Sequence, residues 1–463
     1  MNDNTPGTGK SVWIGFSAVL FVMLLALSHV PVLTAQGGQN SPDQAIALFE
    51  QVYRFIQRNY VEEVDPEVLL QGALQGMFDS LDDPYSAYLK PDQMRGLTDT
   101  TSGQFGGVGM YINKPAPREG RPQYIEVVSP IEDTPAFRAG LMAGDRIRAV
   151  EGESTAELST DEVVERLRGR PGTPVTITIL RGADIEFPVT LERAIIQIPT
   201  ARWAMIDEHT AFLRIIQFTP HTAERVAEAL QEFRSDGFRS LIIDLRSNPG
   251  GLLTGVVDVA DLFFDGGTVV ETRGRVASEN QTFTARSGSL ISDDIEIVVL
   301  IDGGSASAAE ILAAALKDRD RATLIGTTTF GKGSVQQVRR IGDSGFRLTM
   351  SRYYSPIGTS IDKAGVAPTI EVEEEELTEE QQQAYATIRR EDRVRTFLEA
   401  TPDPSGAQID RFVQGLQDDG LDPGDRLLRR FIRMEINRIN NREQVFDLEY
   451  DRVLQRAVEY LRR

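Results

Sequence analysis

Hydrophobic and polar residues follow two different periods along this chain, and the switches between them mark its elements. Phe49, Tyr53, Ile56 and Tyr60 recur at steps of three and four, and residues 68–78 give a second helical stretch. Two helices are predicted there, and a short one over 161–167. Residues 200–216 and 240–245 read as strands, with a helix over 222–233 between them. A run rich in β-branched residues, 295–301, reads as a buried strand; Asp302-Gly303-Gly304 breaks it, and a helix over 308–316 follows. Residues 322–325 form another strand-like run, and short alternations around 347–350 carry no helical stripe. Near the end, Leu427, Leu428, Phe431, Ile432, Ile436 and Ile439, then Val453, Leu454, Ala457, Val458 and Leu461, give two helical stripes. Gly406 and the Asp-Gly and Asp-Pro pairs between 403 and 425 punctuate the approach to them. The class predicted is α+β or mixed α/β.

Composition adds limits to that outline. The chain has 463 residues, 41% of them hydrophobic, enough for two to four domains with real cores. Its net charge of −20 argues against nucleic acid as a partner and against electrostatic adhesion to anionic lipid. Residues 12–33 carry no charged side chain, and as a helix they would span roughly 33 Å against a hydrocarbon core of about 30 Å. Lys10 precedes this stretch and no Lys or Arg follows until Arg54, so the N-terminus is expected inside and the rest exported. An uncleaved single-pass anchor is the expectation, and a cleaved signal peptide the alternative. The compartment implied is the periplasm or cell envelope, with a tether to the inner membrane.

The chemistry concentrates in residues 295–336. Ser305 and Ser307 sit where a strand turns into a helix, near unpaired amides and the positive end of the helix dipole. Ser307-Ala308-Ala309-Glu310 also fits a capping box, which would need no chemistry. Lys332 stands between Gly331 and Gly333, so the backbone can bring its amine close to another group. A lysine serves as a base near neutral pH only if its pKa falls from about 10.4 to roughly 7–8. That shift corresponds to roughly 4 kcal/mol, and desolvation can supply it. Residues 326–332 spell most of a phosphate-binding loop, but Gly333 replaces the magnesium-binding Ser or Thr and no helical pattern follows. His29, His209 and His221 fall in no catalytic setting, and the absence of cysteine excludes thiol catalysis.

Three stretches then carry a resemblance. SASAAEI at 305–311, TFGKGSVQ at 329–336 and DLRSNPGG at 244–251 resemble, in order and spacing, the C-terminal processing (tail-specific) serine peptidases. The resemblance implies a crotonase/ClpP-like peptidase core, with Ser307 as nucleophile, Lys332 as general base and Gln336 orienting the lysine. It also implies an oxyanion hole from the Ala308 amide with Gly250 or Gly251, and no cofactor or metal. LDDPYSAYL at 81–89 is similar to the family's LDPHSxYL, with Tyr85 in place of His, and is expected to serve structure. Residues 353–370 resemble the tail of the catalytic core, with Ile357 and Thr369 departing from its Ser and Asp. Residues 103–181 resemble a PDZ domain, whose carboxylate-binding loop would include Gly107, Val108, Gly109 and Met110.

The expected organisation is a leader (1–36), a helical N-terminal segment (37–97), an inserted PDZ domain (98–186), the peptidase core (187–372) and a helical C-terminal extension (373–463). Expected substrates are proteins or peptides with free C-termini. The C-terminal helices are expected to pack on the core; an oligomerisation or adaptor surface is the sharper alternative. A non-catalytic PDZ scaffold on a degenerate peptidase core is the rival to the enzyme.

Overall fold

A computed structural model describes residues 41–115, 122–131, 133–182, 184–373, 377–440 and 444–463. The apolar stretch 12–33 and most of the acidic run 373–376 lie outside the described residues. Among the described residues no helix is long and apolar enough to cross a membrane.

The chain divides into two units, one up to Met77 and one from Phe78 onward. The two helices predicted near the start run Pro42–Asn59 and Pro66–Asp79. Ser41 caps the first: its hydroxyl accepts the Gln44 amide while the Gln44 side chain accepts the Ser41 amide.

Six strands form the central sheet, in the order Ala201–Met205, Thr210–Ile215, Ser240–Asp244, Glu296–Ile301, Thr323–Gly326 and Ile370–Glu371. The first pair is antiparallel and the rest are parallel. Parallel strands buried on both faces need apolar residues at consecutive positions, which accounts for the unbroken runs in the sequence. Leu241, Ile243, Val299 and Ile301 face the helices Thr222–Asp236, Leu253–Ala260 and Ala308–Asp318. Ile242, Val298 and Leu300 face the last helix, Arg452–Leu461, through Val453, Leu454, Ala457 and Val458. Each such side chain contributes about 1.5–3 kcal/mol when fully buried.

The stretch expected to be a PDZ domain, 98–186, is built largely of strands. Antiparallel strands Met110–Asn113, Ile125–Pro130, Arg146–Val150, Pro174–Arg181 and Ile185–Glu192 lie in that order. The helix Thr160–Leu167 buries Val163 and Leu167 against Ile125, Ile147 and Ile177. A third sheet joins Ala87–Leu89, Ser344–Tyr354, Thr268–Gly274 and Gln281–Thr284, with Ser334–Ile341 paired along Ser344–Tyr354.

Several elements differ from expectation. Residues 200–216 form a hairpin, because Asp207 accepts the amides of His209 and Thr210 and turns the chain. Residues 334–354 form one long hairpin in place of short alternations. Among the described residues the C-terminal region holds five helices, Glu379–Arg390, Arg393–Ala400, Gly406–Asp418, Asp425–Ile439 and Arg452–Leu461. Gly406 opens one of them; the Gln408 side chain accepts the Ser405 amide at 2.9 Å and fixes the start.

Candidate active site

Strand Glu296–Ile301 ends at Asp302, whose carboxylate accepts the amides of Ser247 (2.8 Å) and Gly304 (2.9 Å). This fastens the turn carrying the serines to the Asp-Leu-Arg-Ser-Asn turn. Ser305 is fully buried; its hydroxyl donates to the Leu245 carbonyl at 2.8 Å and accepts the Asp302 amide at 3.0 Å. It is a fastening within the turn.

Ser307 stands at the start of helix Ala308–Asp318 with φ of 56°, a value that costs a non-glycine residue about 1–3 kcal/mol. No side-chain cap hydrogen bond comes from Ser307. The capping reading therefore holds for Glu310, which accepts the Ser307 amide, while the serine hydroxyl is hydrogen-bonded with Tyr353 instead. Gly250 allows the close approach: a Cβ there would lie 2.8 Å from the Ser307 Cβ and 2.7 Å from the Ala306 carbonyl oxygen.

Glu310 joins the serine turn to the lysine segment. It is fully buried, and its Oε2 accepts the amides of Ser307 (2.7 Å) and Lys332 (2.8 Å). Its Oε1 accepts the Thr329 hydroxyl (2.6 Å) and the Gly331 amide (2.7 Å). Residues separated by more than twenty positions thus meet on one carboxylate. Gly333 is required because a Cβ would come within 2.1 Å of the Asp362 amide nitrogen.

The Lys332 side chain is half-buried, with its Nζ 5.2 Å from the centre of the Tyr85 ring. Burial lowers its pKa, Arg347 lowers it further, and Glu310 acts in the opposite sense. Among the described residues the Ser307 and Lys332 side chains are not hydrogen-bonded to each other, a separation common before substrate arrives. Gln336 Nε2 donates to the Thr349 hydroxyl oxygen (2.9 Å) and to that of Ser334 (3.1 Å), and its Oε1 is buried without a partner among the described residues.

Of the amides expected at an oxyanion hole, that of Gly250 is already taken by Asn248 Oδ1 at 2.9 Å. In this state the Gly250 amide is engaged within its own turn, which favours Gly251, the other glycine expected there. The amides of Gly251 and Ala308 have no hydrogen-bond partner among the described residues. In the Gly-rich loop, Gly107 ends strand Gln104–Gly107 and Met110 begins the next strand. Thr134 donates its hydroxyl proton to the Gly109 carbonyl at 2.8 Å and packs against Gly109, which has φ of 79°. The Val108 and Gly109 amides have no partner among the described residues.

Comparison with known proteins fits this arrangement. The model of peptidase family S41 matches residues 209–372, that of the PDZ domain residues 126–181, and that of the activating protease CtpB N-terminal domain residues 23–93. A carboxy-terminal-processing protease of Bartonella bacilliformis is 39% identical over 367 residues, covering 78% of this chain and 82% of that protein. The chain belongs to the carboxy-terminal processing proteases of peptidase family S41. It is a serine-type peptidase whose substrates are proteins or peptides, built as an α+β fold with an inserted PDZ domain. The carboxy-terminal processing protease CtpA of Bacillus subtilis is 32% identical over 365 residues, 77% of each chain. Among solved structures, a photosystem II D1 C-terminal processing protease is 28% identical, covers 70% of this chain and 92% of its own, and has a TM-score of 0.42.

Sequence reasoning gave three neighbours of this peptidase's site no part in its chemistry. Glu310 looked like a cap, and only the all-round apolar character of its helix signalled that its carboxylate would be buried. Tyr353 is buried; burial pushes its hydroxyl up to about 12, against the effect of its hydrogen bond with Ser307. Segment 81–89, expected to serve structure alone, brings the Tyr85 ring to Lys332 and hydrogen-bonds Asp83 Oδ2 to the Thr349 hydroxyl at 2.5 Å.

Proposed function

We propose that this peptidase cleaves exported proteins near their C-termini with a Ser-Lys dyad, after its PDZ domain has captured the tail. The observation that carries the dyad is the buried Glu310 carboxylate, which binds the backbone of both Ser307 and Lys332. A half-buried lysine with a lowered pKa beside the positive Arg347 supports the role of base.

In this reading the Ser307 oxygen attacks a substrate carbonyl carbon as Lys332 takes the hydroxyl proton. The oxyanion accepts hydrogen bonds from the Gly251 and Ala308 amides. Collapse breaks the C–N bond, the lysine ammonium returns the proton to the leaving amine, and an acyl-enzyme remains. Water, deprotonated by the same lysine, then releases the new C-terminus. Tail capture is supported by the open Val108 and Gly109 amides, a pair of donors suited to a carboxylate. Residues 12–33 would tether the enzyme to the inner membrane on its exported side.

The test is hydrolysis of an unstructured protein by the full-length chain. Ser307→Ala is expected to abolish turnover and Lys332→Ala to cut kcat by about 10²–10⁴-fold. The active lysine is neutral, so the rate should rise with pH through a pKa below that of an ordinary lysine. Wild-type rates in either variant sink the dyad. A peptide amidated at its C-terminus should show a raised KM, and an unchanged KM removes tail capture. Recovery of the intact chain free of envelope membranes removes the tether.

A further inference from the structure

Gln336 is held by a chain of hydrogen bonds whose direction can be worked out from its far end. The Asp83 carboxylate accepts hydrogen bonds and donates none. Its Oδ1 accepts the Tyr85 amide at 3.0 Å, and its Oδ2 accepts the hydroxyls of Ser86 (2.6 Å) and Thr349 (2.5 Å). Hydrogen bonds and the positive Arg347 hold its pKa below the ordinary carboxylate value, against the effect of burial, so it stays ionised through the working range. The Ser86 hydroxyl, its one proton spent on Asp83, accepts the Thr349 amide at 3.0 Å. Thr349 likewise has one hydroxyl proton, and Asp83 takes it. Toward Gln336, 2.9 Å away, the Thr349 oxygen can therefore only accept.

The atom of Gln336 that faces Thr349 must then be the amide nitrogen. Its second proton goes to the Ser334 hydroxyl oxygen at 3.1 Å. Both amide protons are used, so the carbonyl oxygen is left over, and it is buried with no partner among the described residues. A side-chain amide can ordinarily flip by 180° with little change in shape, and its network alone decides the orientation. Here the deciding group is Asp83, on the segment Leu81–Leu89 and more than 250 positions away in the chain. That segment also carries Tyr85, whose ring lies under the Lys332 ammonium.

We propose that Asp83 is a positioning residue for catalysis, fixing through the Thr349 hydroxyl the Gln336 amide with its carbonyl oxygen free to accept a proton of the Lys332 amine. The proposal rests on the Ser-Lys reading and on Gln336 orienting the lysine, the role that the resemblance implies for it. With the oxygen presented, the lysine donates to Gln336 and aims its lone pair elsewhere, toward the serine. With the amide released to flip, its N–H would bind that lone pair and block it from taking the Ser307 proton. The groups facing Lys332 are Arg347 from the hairpin, Glu310 from the catalytic helix and the Tyr85 ring; Arg347 also faces Asp83. Neither charged neighbour is altered by changes at Thr349, so that position isolates the relay.

The test uses the full-length enzyme, with kcat and KM measured across pH and active sites counted by a serine-reactive phosphonate. Thr349→Val keeps the shape and removes the hydroxyl. It is expected to lower kcat per active site by about 10-fold or more, the scale set by small misplacements of a catalytic group, with KM within about twofold. An acceptor oxygen favours the charged lysine and a donor disfavours it, so the acid limb should also move to lower pH. Asp83→Ala, which removes the acceptor of the Thr349 proton, should act the same way. Thr349→Ser, which keeps the hydroxyl, should recover most of the rate. If Thr349→Val has the wild-type kcat per active site and acid limb, with any deficit confined to the number of active sites, the relay is overturned. That result together with an inactive Lys332→Ala leaves the dyad standing, whereas wild-type turnover by Lys332→Ala removes the dyad itself.

Discussion

Glu310 accepts four hydrogen bonds inside the protein, two at each oxygen, and an amide could accept only on one side. Glu310→Gln would leave two buried donors facing an NH2 group, and each unmet donor costs about 1–3 kcal/mol. The expected result is a loosened segment 329–333 and a kcat at least about 10²-fold lower, since the turn and the lysine lose their shared anchor. Removing the carboxylate charge also removes what raises the Lys332 pKa, so any residual activity should show its acid limb at lower pH. Hydrogen exchange over 329–333 together with a pH–rate profile checks both, and unchanged exchange would mean that Glu310 is not the anchor. The serine, the lysine and the glutamine could be singled out as candidates from the sequence because each belongs to a short contiguous motif. Glu310 and Asp83 could not, because what they do depends on partners brought in by the sheets. The choice between Gly250 and Gly251 was open for the same reason: the neighbour that occupies the Gly250 amide, Asn248, looked like an ordinary turn residue.

At the scale of elements, the strands of the core were legible where both faces are buried, since that burial writes long apolar runs. The helices from Glu379 to Asp418 were not, because their polar faces dominate and a Ser-Gly start reads as a loop. The last helix was found as a stripe, but its tie to the core is electrostatic as well as apolar. Arg246, on the turn after strand Ser240–Asp244, pairs with Asp244 at 2.7 Å and with Asp451 at 2.6 Å. Asp451 also caps the helix, accepting the Leu454 amide at 2.9 Å. Burial would raise its pKa, but Arg246 and that amide outweigh burial and hold it below the ordinary value. Its stabilising effect is thus complete above the pKa of an unfolded aspartate and is lost as pH falls through the lower folded value. Asp451→Asn keeps the cap and removes the charge, whereas Asp451→Ala removes both, so Ala should be less stable than Asn by about 1 kcal/mol. Urea unfolding in a Trp13→Phe background, where Trp203 alone reports, measures the difference, and equal midpoints would deny Asp451 a capping role.

At the scale of the molecule, the C-terminal helices reach the PDZ domain as well as the core. Glu126, on strand Ile125–Pro130, is nearly buried, and both its oxygens accept from Arg395 Nη1, at 2.9 and 2.8 Å. Arg438 adds a longer contact at 3.7 Å. Two arginines from helices Arg393–Ala400 and Asp425–Ile439 therefore close on one carboxylate of the domain that would hold the substrate tail. Gly144 lies against the same guanidinium, where a Cβ would come within 3.0 Å. Breaking a buried pair by removing one partner costs about 3–5 kcal/mol, and this one is buried on the carboxylate side and part-buried on the other, which puts it toward the lower end. Glu126→Gln should accordingly raise hydrogen exchange in residues 125–130 and 393–400 while leaving strand Ser240–Asp244 at its native protection. Arg395→Met should do the same from the other side, and the double variant should add little, because both changes remove one interaction. Additive losses, or exchange confined to the mutated strand, would mean that the helices and the PDZ domain are held together by their apolar contacts and not by this ion pair.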